Sequence, residues 1–304
     1  LKIDPDYADA HNNLGVVFGK TGLASDALKS FTKAIDLMIK TLSINPDDFN
    51  TLNNLGIAFF EMERFEEAMN AYQKALSIQP NMADVWNNLG TVFQKLNQYE
   101  DAIKSLDKAY DINPKIDYIL GNILGAKMNC CNWNGLAELL IDAKKRIINN
   151  EKVVDSHTLT GLIDDPKIQR KVAELFTQCH YPQKSLTLLN QYPKHSKIRI
   201  GYFSADFREH PLAYLTAELY ELHDRDHFEV HAFSLDPDST IDDINHRIKS
   251  GVNYFHDIQS MSHKEIVEFA RSLQIDIAID LGGFTNESRT DIFAMSAAPI
   301  QLSY

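Results

Sequence analysis

The first 115 residues alternate apolar and polar positions with a helical period, and the pattern itself recurs. The string "NNLG" begins at Asn12, Asn53 and Asn87, and the last two copies stand 34 residues apart, the spacing of tetratricopeptide repeats. Leu14, Leu55 and Leu89 are followed by Gly15, Gly56 and Gly90, then by Phe18, Phe59 and Phe93. Ala27, Ala68 and Ala102 come thirteen residues after each leucine, with Ala34, Ala75 and Ala109 seven further on. Small residues at these points let two antiparallel helices approach closely, and the large ones fill the seam. The first two copies are 41 residues apart, and the seven extra residues fall in "KAIDLMIKTLSINP". Seven residues make about two helical turns, so the insertion predicts a longer second helix in the first repeat with its apolar face unrotated. Pro46, Pro80 and Pro114 are placed to end the three second helices.

From 116 to 196 the pattern stays helical without repeating. "DYILGNILGAKMNCCNWNGLAELL" has apolar residues at helical spacing, with Trp133 expected as a packing anchor, and Asp165 before Pro166 opens another helix. Past Lys197 the texture changes. "KIRIGYFSADF", "FEVHAFSL" and "IDIAIDLGGFT" read as three strands, with "PLAYLTAELYELHD" and "SHKEIVEFARSLQ" as helices between them. That alternation predicts a parallel, doubly wound sheet. The fold class is therefore α + α/β: a tetratricopeptide helical solenoid over 1–115, a helical connector over 116–196 and a Rossmann-like doubly wound lobe over 197–304.

Ligands of such sheets bind beyond the carboxyl ends of the strands. Asp206 and His210 follow the first strand, and Gly282, Gly283 and Thr285 follow the third, so two independent signals point to one rim. His210 precedes Pro211 at a helix start, where the helix dipole favours a neutral ring able to accept a proton; the competing reading is a histidine that only caps the helix. The Gly282–Gly283 pair permits close approach of a ligand to the backbone, with amides near Thr285 or Asn286 facing a phosphate or sugar hydroxyl; the competing reading is a tight turn. Asn13, Asn54 and Asn88 recur at one register of the first helices. A carboxamide donates and accepts, so a ladder of them can hold peptide backbone of any sequence, although asparagine is also tolerated on a solvated face. His223, His227 and His231 are spaced by four, but a helix end at Asp224–Asp226 and a strand after it direct the rings apart, against a metal site.

Composition narrows the picture further. A chain of 304 residues with 44% apolar residues and a net charge of -12 fits a soluble globular protein of two or more domains. No apolar run approaches the ~20 residues that span a bilayer. Acidic residues outnumber basic ones 42 to 30 and no basic cluster occurs, which argues against nucleic acid or an anionic membrane as partner. Three cysteines, with Cys130 and Cys131 adjacent, form neither a disulfide framework nor a zinc pattern, and a cytoplasmic location is expected.

The repeats, the "CNW" of the connector, "IRIGYFSADFREHPLAYL", "IDIAIDLGGFT" and "RTDIFAMSAAPIQLSY" together resemble the O-GlcNAc transferase family, in particular its bacterial SPINDLY-type members, over essentially the whole chain. The resemblance implies a GT-B architecture, two Rossmann-like lobes with a nucleotide-sugar between them, of which only the first lobe is begun here. It implies a protein O-glycosyltransferase that moves a sugar, foremost GlcNAc from UDP-GlcNAc, to serine and threonine hydroxyls of protein or peptide acceptors held by the repeats. It implies no cofactor and no metal beyond the donor, and that these 304 residues alone are inactive. The family's active-site aspartate and histidine fall on Asp206 and His210, a further family histidine falls on His157, and the asparagine ladder is a family feature. Leu212 and Tyr214 depart from the threonine and histidine of animal members. GDP-fucose or UDP-glucose therefore remain alternative donors, and a repeat scaffold with a degenerate sugar lobe remains the alternative class.

Overall fold

Each repeat folds into the helix pair its pattern predicts. In a computed structural model that describes residues 4–181, 192, 195–236, 241–283 and 289–303, the pairs are α1 (Ala8–Lys20) with α2 (Ala24–Ile44), α3 (Phe49–Glu61) with α4 (Phe65–Ile78), and α5 (Ala83–Lys95) with α6 (Tyr99–Ile112). Helix α2 has 21 residues where α4 and α6 have 14, so the seven inserted residues lengthen the second helix of the first repeat as expected. Its buried face runs unbroken through Ala27, Phe31, Ala34, Ile35 and Met38. All three second helices stop two residues before Pro46, Pro80 and Pro114, where an interior proline would clash with the preceding turn. A Cβ added to Gly15, Gly56 or Gly90 would come within 2.8 Å of the Phe31 ring, 2.5 Å of the Tyr72 ring or 2.6 Å of Leu106, which is why glycine stands where the paired helices cross. The turn inside each pair needs a left-handed residue, met by Gly22 at φ 80°, Glu63 at 57° and Asn97 at 58°.

The connector helices α7 (Ile119–Asn129), α8 (Leu136–Ile148), α9 (Ser156–Thr160) and α10 (Pro166–His180) share one compact unit with the repeats, and that unit ends at His180. Ile119, Leu120, Ile123 and Leu124 of α7 join the repeat core directly. The expectation for Trp133 does not hold. The residue is 59% exposed and sits in the reversal between α7 and α8, where Cys131 and Gly135 both take positive φ. Leu136, Leu139 and Leu140 of α8 pack against the core instead.

The second unit, from Tyr181 onward, is a sheet with helices on both faces. Strands β1 (Ile198–Ser204), β2 (Phe228–Ser234), β3 (Tyr254–Asp257), β4 (Ile277–Asp280) and β5 (Ile300–Ser303) are all parallel, in the order β3-β2-β1-β4-β5. Side chains of β1 alternate between two cores. Ile200 and Tyr202 pack with Ala217 and Tyr220 of α11 (Pro211–Leu222) and Ile248 of α12 (Asp243–Gly251), whereas Phe203 stacks on Phe233 among Ile266 and Ala270 of α13 (His263–Ser272) and Ile292 of α14 (Asp291–Ala294). Two elements between the expected second and third strands, α12 and β3, were not legible in the sequence, so the expected third strand is β4. Strand β3 is four residues at the sheet edge, with Tyr254 and Asp257 exposed, too short to show an alternation.

Candidate functional site

Beginning the sheet at its centre has a chemical consequence. β1 pairs with β2 on one side and β4 on the other, so the chain leaves β1 toward β2 and leaves β4 toward β5 in opposite directions, the switch point beyond whose carboxyl ends doubly wound sheets bind their ligands. Phe203 and Asp280 are register partners near those ends. Asp206 and His210 lie just past β1, and Gly282 and Gly283 just past β4, so the two sequence signals do meet on one rim.

The β1–α11 junction is built from short local bonds. The Ser204 hydroxyl accepts the Asp206 N–H at 3.0 Å. His210 is extended, at φ −148° and ψ 146°, and Pro211 begins the helix behind it. The Leu212 N–H, one of the donors an α-helix leaves unpaired at its start, is received by Nδ1 of His210 at 3.2 Å. His210 is therefore the N-cap of α11. A nitrogen that accepts an N–H carries no proton, so in this arrangement the ring proton resides on Nε2. The nearer Asp206 carboxylate oxygen is 3.7 Å from Nδ1, beyond a hydrogen bond, and the Asp206 side chain is mostly buried while the His210 ring is half-exposed. The ring thus offers its surroundings a donor at Nε2 rather than a basic lone pair.

Asp280, at the end of β4, organises the opposite bank. Its Oδ1 accepts the N–H groups of Gly282 and Gly283 at 3.0 and 3.1 Å, and the Thr290 hydroxyl donates to the Gly283 carbonyl at 2.8 Å. Burial pushes the Asp280 carboxyl above its ordinary range, and the two N–H groups offset part of that. Gly283 adopts φ 55°, and a Cβ there would meet only the Ser303 hydroxyl at 3.9 Å. Backbone conformation, not crowding, is what requires this glycine. The sequence held the signal for Asp280, an aspartate two residues ahead of a Gly-Gly turn. Thr285 lies outside the described residues.

The remaining residues belong to the repeat unit. His157 is exposed on α9, whose first turn is capped by Asp155 through the Thr158 N–H at 2.8 Å. Asn13 is exposed, and Asn54 and Asn88 are half-buried, on the first helices of the three repeats. The Asn54 amide donates to Asp9 of the preceding repeat at 2.8 Å. A fourth member of this register went unread: Asn122 of α7, 34 residues after Asn88, donates to the Asn87 side chain at 3.1 Å. Extending the repeat arithmetic one period past Pro114 would have found it. His223, His227 and His231 do not share a helix, and each ring has its own partner, the Tyr202 hydroxyl, Asp224 and the pair Glu229 and His256. Among the described residues no group of His, Cys, Asp or Glu has the arrangement of a metal site, and no helix is long and apolar enough to cross a membrane.

Helical repeats and a doubly wound sheet with a polar rim at its switch point define a repeat-bearing α + α/β protein with a candidate ligand site on the sheet. Comparison with known proteins makes that specific. Residues 169–304 match the model of glycosyl transferase family 41, and residues 6–81 and 83–116 match tetratricopeptide-repeat models. The chain is a tetratricopeptide-repeat protein with a domain of glycosyl transferase family 41, homologous to O-GlcNAc transferases. It is 38% identical over 108 residues to the probable UDP-N-acetylglucosamine-peptide N-acetylglucosaminyltransferase SEC of Arabidopsis thaliana, and 33% identical over 111 residues to the UDP-N-acetylglucosamine-peptide N-acetylglucosaminyltransferase of Caenorhabditis elegans. Each alignment covers 36% of this chain, and 11% and 9% of the two relatives. A solved mutant of the Thermobaculum terrenum O-GlcNAc transferase shares the fold at a TM-score of 0.50 and 22% identity, over 99% of this chain and 51% of that one.

Proposed function

We propose that the chain serves a protein O-glycosyltransferase that moves GlcNAc from UDP-GlcNAc to serine or threonine hydroxyls, with acceptor backbone held along Asn13, Asn54, Asn88 and Asn122. The observation that carries the reading is the meeting of Asp206, His210 and the Gly282–Gly283 turn at the switch point of a family 41 domain. In the transfer, the bond between the sugar's anomeric carbon and the diphosphate breaks as the acceptor oxygen bonds to that carbon, and the hydroxyl proton must leave. His210, with Nδ1 committed to the Leu212 N–H, acts through Nε2–H. It donates to an oxygen of the reacting pair, orienting it and offsetting charge as it develops. Asp206 is the carboxylate on the same rim that can take the hydroxyl proton. Gly282 and Gly283 present backbone to the donor, and His157, exposed on α9, remains a candidate by the family resemblance alone. The free cysteines suit the reducing cytoplasm in which such a protein would meet its acceptors.

The test is to offer the complete protein an acceptor protein with UDP-GlcNAc, GDP-fucose or UDP-glucose separately, and to map any added sugar by mass spectrometry. GlcNAc on serine or threonine is the expected product. Fucose or glucose alone would replace the donor, and peptide binding without any transfer would make the protein a repeat scaffold.

A further inference from the structure

The helix behind His210 carries a feature that transfer chemistry leaves unused. Leu215, Leu219 and Leu222 of α11 are spaced four and three residues apart, so they form one stripe along the helix, and they are 81%, 39% and 74% exposed. Three aligned leucines on the outer face of a helix whose other face is already packed by Ala213, Ala217 and Tyr220 cost solubility and contribute nothing to this unit's own core.

The ground beside the stripe has one sign. Glu218 and Glu221 lie on its flank. At the start of the helix, Glu209, Tyr214, Asp242, Asp243 and Ile244 line a concavity of about 310 Å³. The Tyr214 hydroxyl donates to Glu209 at 3.3 Å, and the Asp242 carboxylate receives the Glu209 and Asn245 N–H groups. Arg247 of α12 is bound in bidentate fashion by Glu221, and Lys249 is drawn over the Phe255 ring. The flank therefore presents five carboxylates, with Arg247 the guanidinium spent among them. Burial and the nearby Glu209, Asp242 and Asp243 carboxylates push the Tyr214 phenol above its ordinary range, a sign of how densely the negative charge is gathered there.

The geometry points to a docking face for a basic amphipathic helix: its apolar side lies along Leu215, Leu219 and Leu222, and a Lys or Arg side chain enters the acidic concavity beside Tyr214. The leucine stripe supplies area removed from water. The carboxylates select the sign of the partner and set its direction along α11, and the Tyr214 ring adds a face for the cation. An acidic or neutral helix would bury the same leucines but leave the acidic concavity facing its own charge or nothing.

The probe is a fluorescein-labelled amphipathic peptide of leucine and lysine heptads, about 18 residues long so that it is helical when bound, titrated into the chain and followed by anisotropy. Its glutamate-for-lysine counterpart is the control. Saturable one-to-one binding is expected, weakened roughly tenfold or more by Leu215→Ser with Leu222→Ser, and separately by Glu209→Gln with Asp243→Asn. Raising salt should weaken the wild type more than the carboxylate variant. All four substitutions are at exposed positions, and circular dichroism confirms that the variants remain folded. Equal binding by wild type and both variants would overturn the proposal, since it would mean diffuse attraction to an acidic chain. Equal binding of the glutamate peptide would overturn the charge selection, and a dimer dissolved by the leucine variants would show that a second copy occupies the face.

Discussion

The tautomer of His210 separates two proposed roles, hydrogen-bond donor and base, and the Leu212 N–H favours the first. With Nδ1 accepting the Leu212 N–H at 3.2 Å, the proton sits on Nε2 and the ring can donate but not act as a base there. Three substitutions separate the roles. His210→Ala removes both the cap and the donor. Losing the cap should cost ~0.5–2 kcal/mol of stability. Losing a hydrogen bond to a group gaining charge is worth ~1.5–3 kcal/mol, which predicts a fall in kcat/KM of about 10- to 150-fold in the complete protein. His210→Asn places a carbonyl oxygen near the Nδ1 position, so stability should return while transfer stays low. His210→Gln places an amide N–H near the Nε2 position and should recover more transfer than either. The tautomer itself is read from long-range proton–nitrogen correlations of the imidazole at mildly alkaline pH, with Nε2 protonated and Nδ1 bare. A proton found on Nδ1, or a Gln variant no more active than Ala, would refute the donor assignment and return His210 to the role of base, for which losses of ~10²–10⁴ are usual.

Replacing Asn13, Asn54, Asn88 and Asn122 together by alanine should weaken binding of an unmodified acceptor peptide by at least about tenfold, at ~0.5–1.5 kcal/mol per hydrogen bond; calorimetry showing unchanged affinity would make these side chains mere surface. Gly56→Ala pushes a methyl group to 2.5 Å from the buried Tyr72 ring and should destabilise the repeat unit by about 1–3 kcal/mol, whereas Gly19→Ala, with nothing within 4 Å, should be neutral or stabilising, both read from thermal unfolding. Burial and the neighbouring His231 hold the His256 imidazole down to about 4. Because the folded state resists a proton that the unfolded chain takes up near pH ~6.5, this contribution to stability is complete above that pH and declines as pH falls toward about 4. The loss is on the order of 1–3 kcal/mol after allowing for the ring's partial exposure. Subtracting the unfolding profile of His256→Phe from that of the wild type isolates it, and a flat difference would contradict the assignment.

The repeats were legible because each of their physical requirements recurs at a fixed register. Gly15, Gly56 and Gly90 mark helix crossings, and Pro46, Pro80 and Pro114 mark helix ends. Even the seven-residue insertion could be read, since two helical turns preserve a face. The rim was legible for a related reason: Asp206 and His210 interrupt a buried strand just where a helix starts. Other features were hidden because they depend on tertiary pairing. β3 exists only as an edge partner of β2, and Trp133 falls in a reversal where Cys131 and Gly135 take positive φ; Asn122, by contrast, keeps the 34-residue spacing and was readable, although the rest of its helix no longer repeats. Which nitrogen of His210 carries the proton is set by the single N–H of Leu212, a bond no residue pattern reveals.

The proposed mechanism depends on the assignment of sugar transfer to the rim beyond β1 and β4. It is tested most directly by comparing the complete wild-type protein with its Asp206→Asn, His210→Ala double variant, measuring GlcNAc transfer from UDP-GlcNAc and acceptor-peptide affinity on the same preparations. Transfer should fall by at least about a hundredfold while peptide affinity, assigned here to the repeats, stays unchanged. Transfer at the wild-type rate by a folded double variant would contradict the assignment.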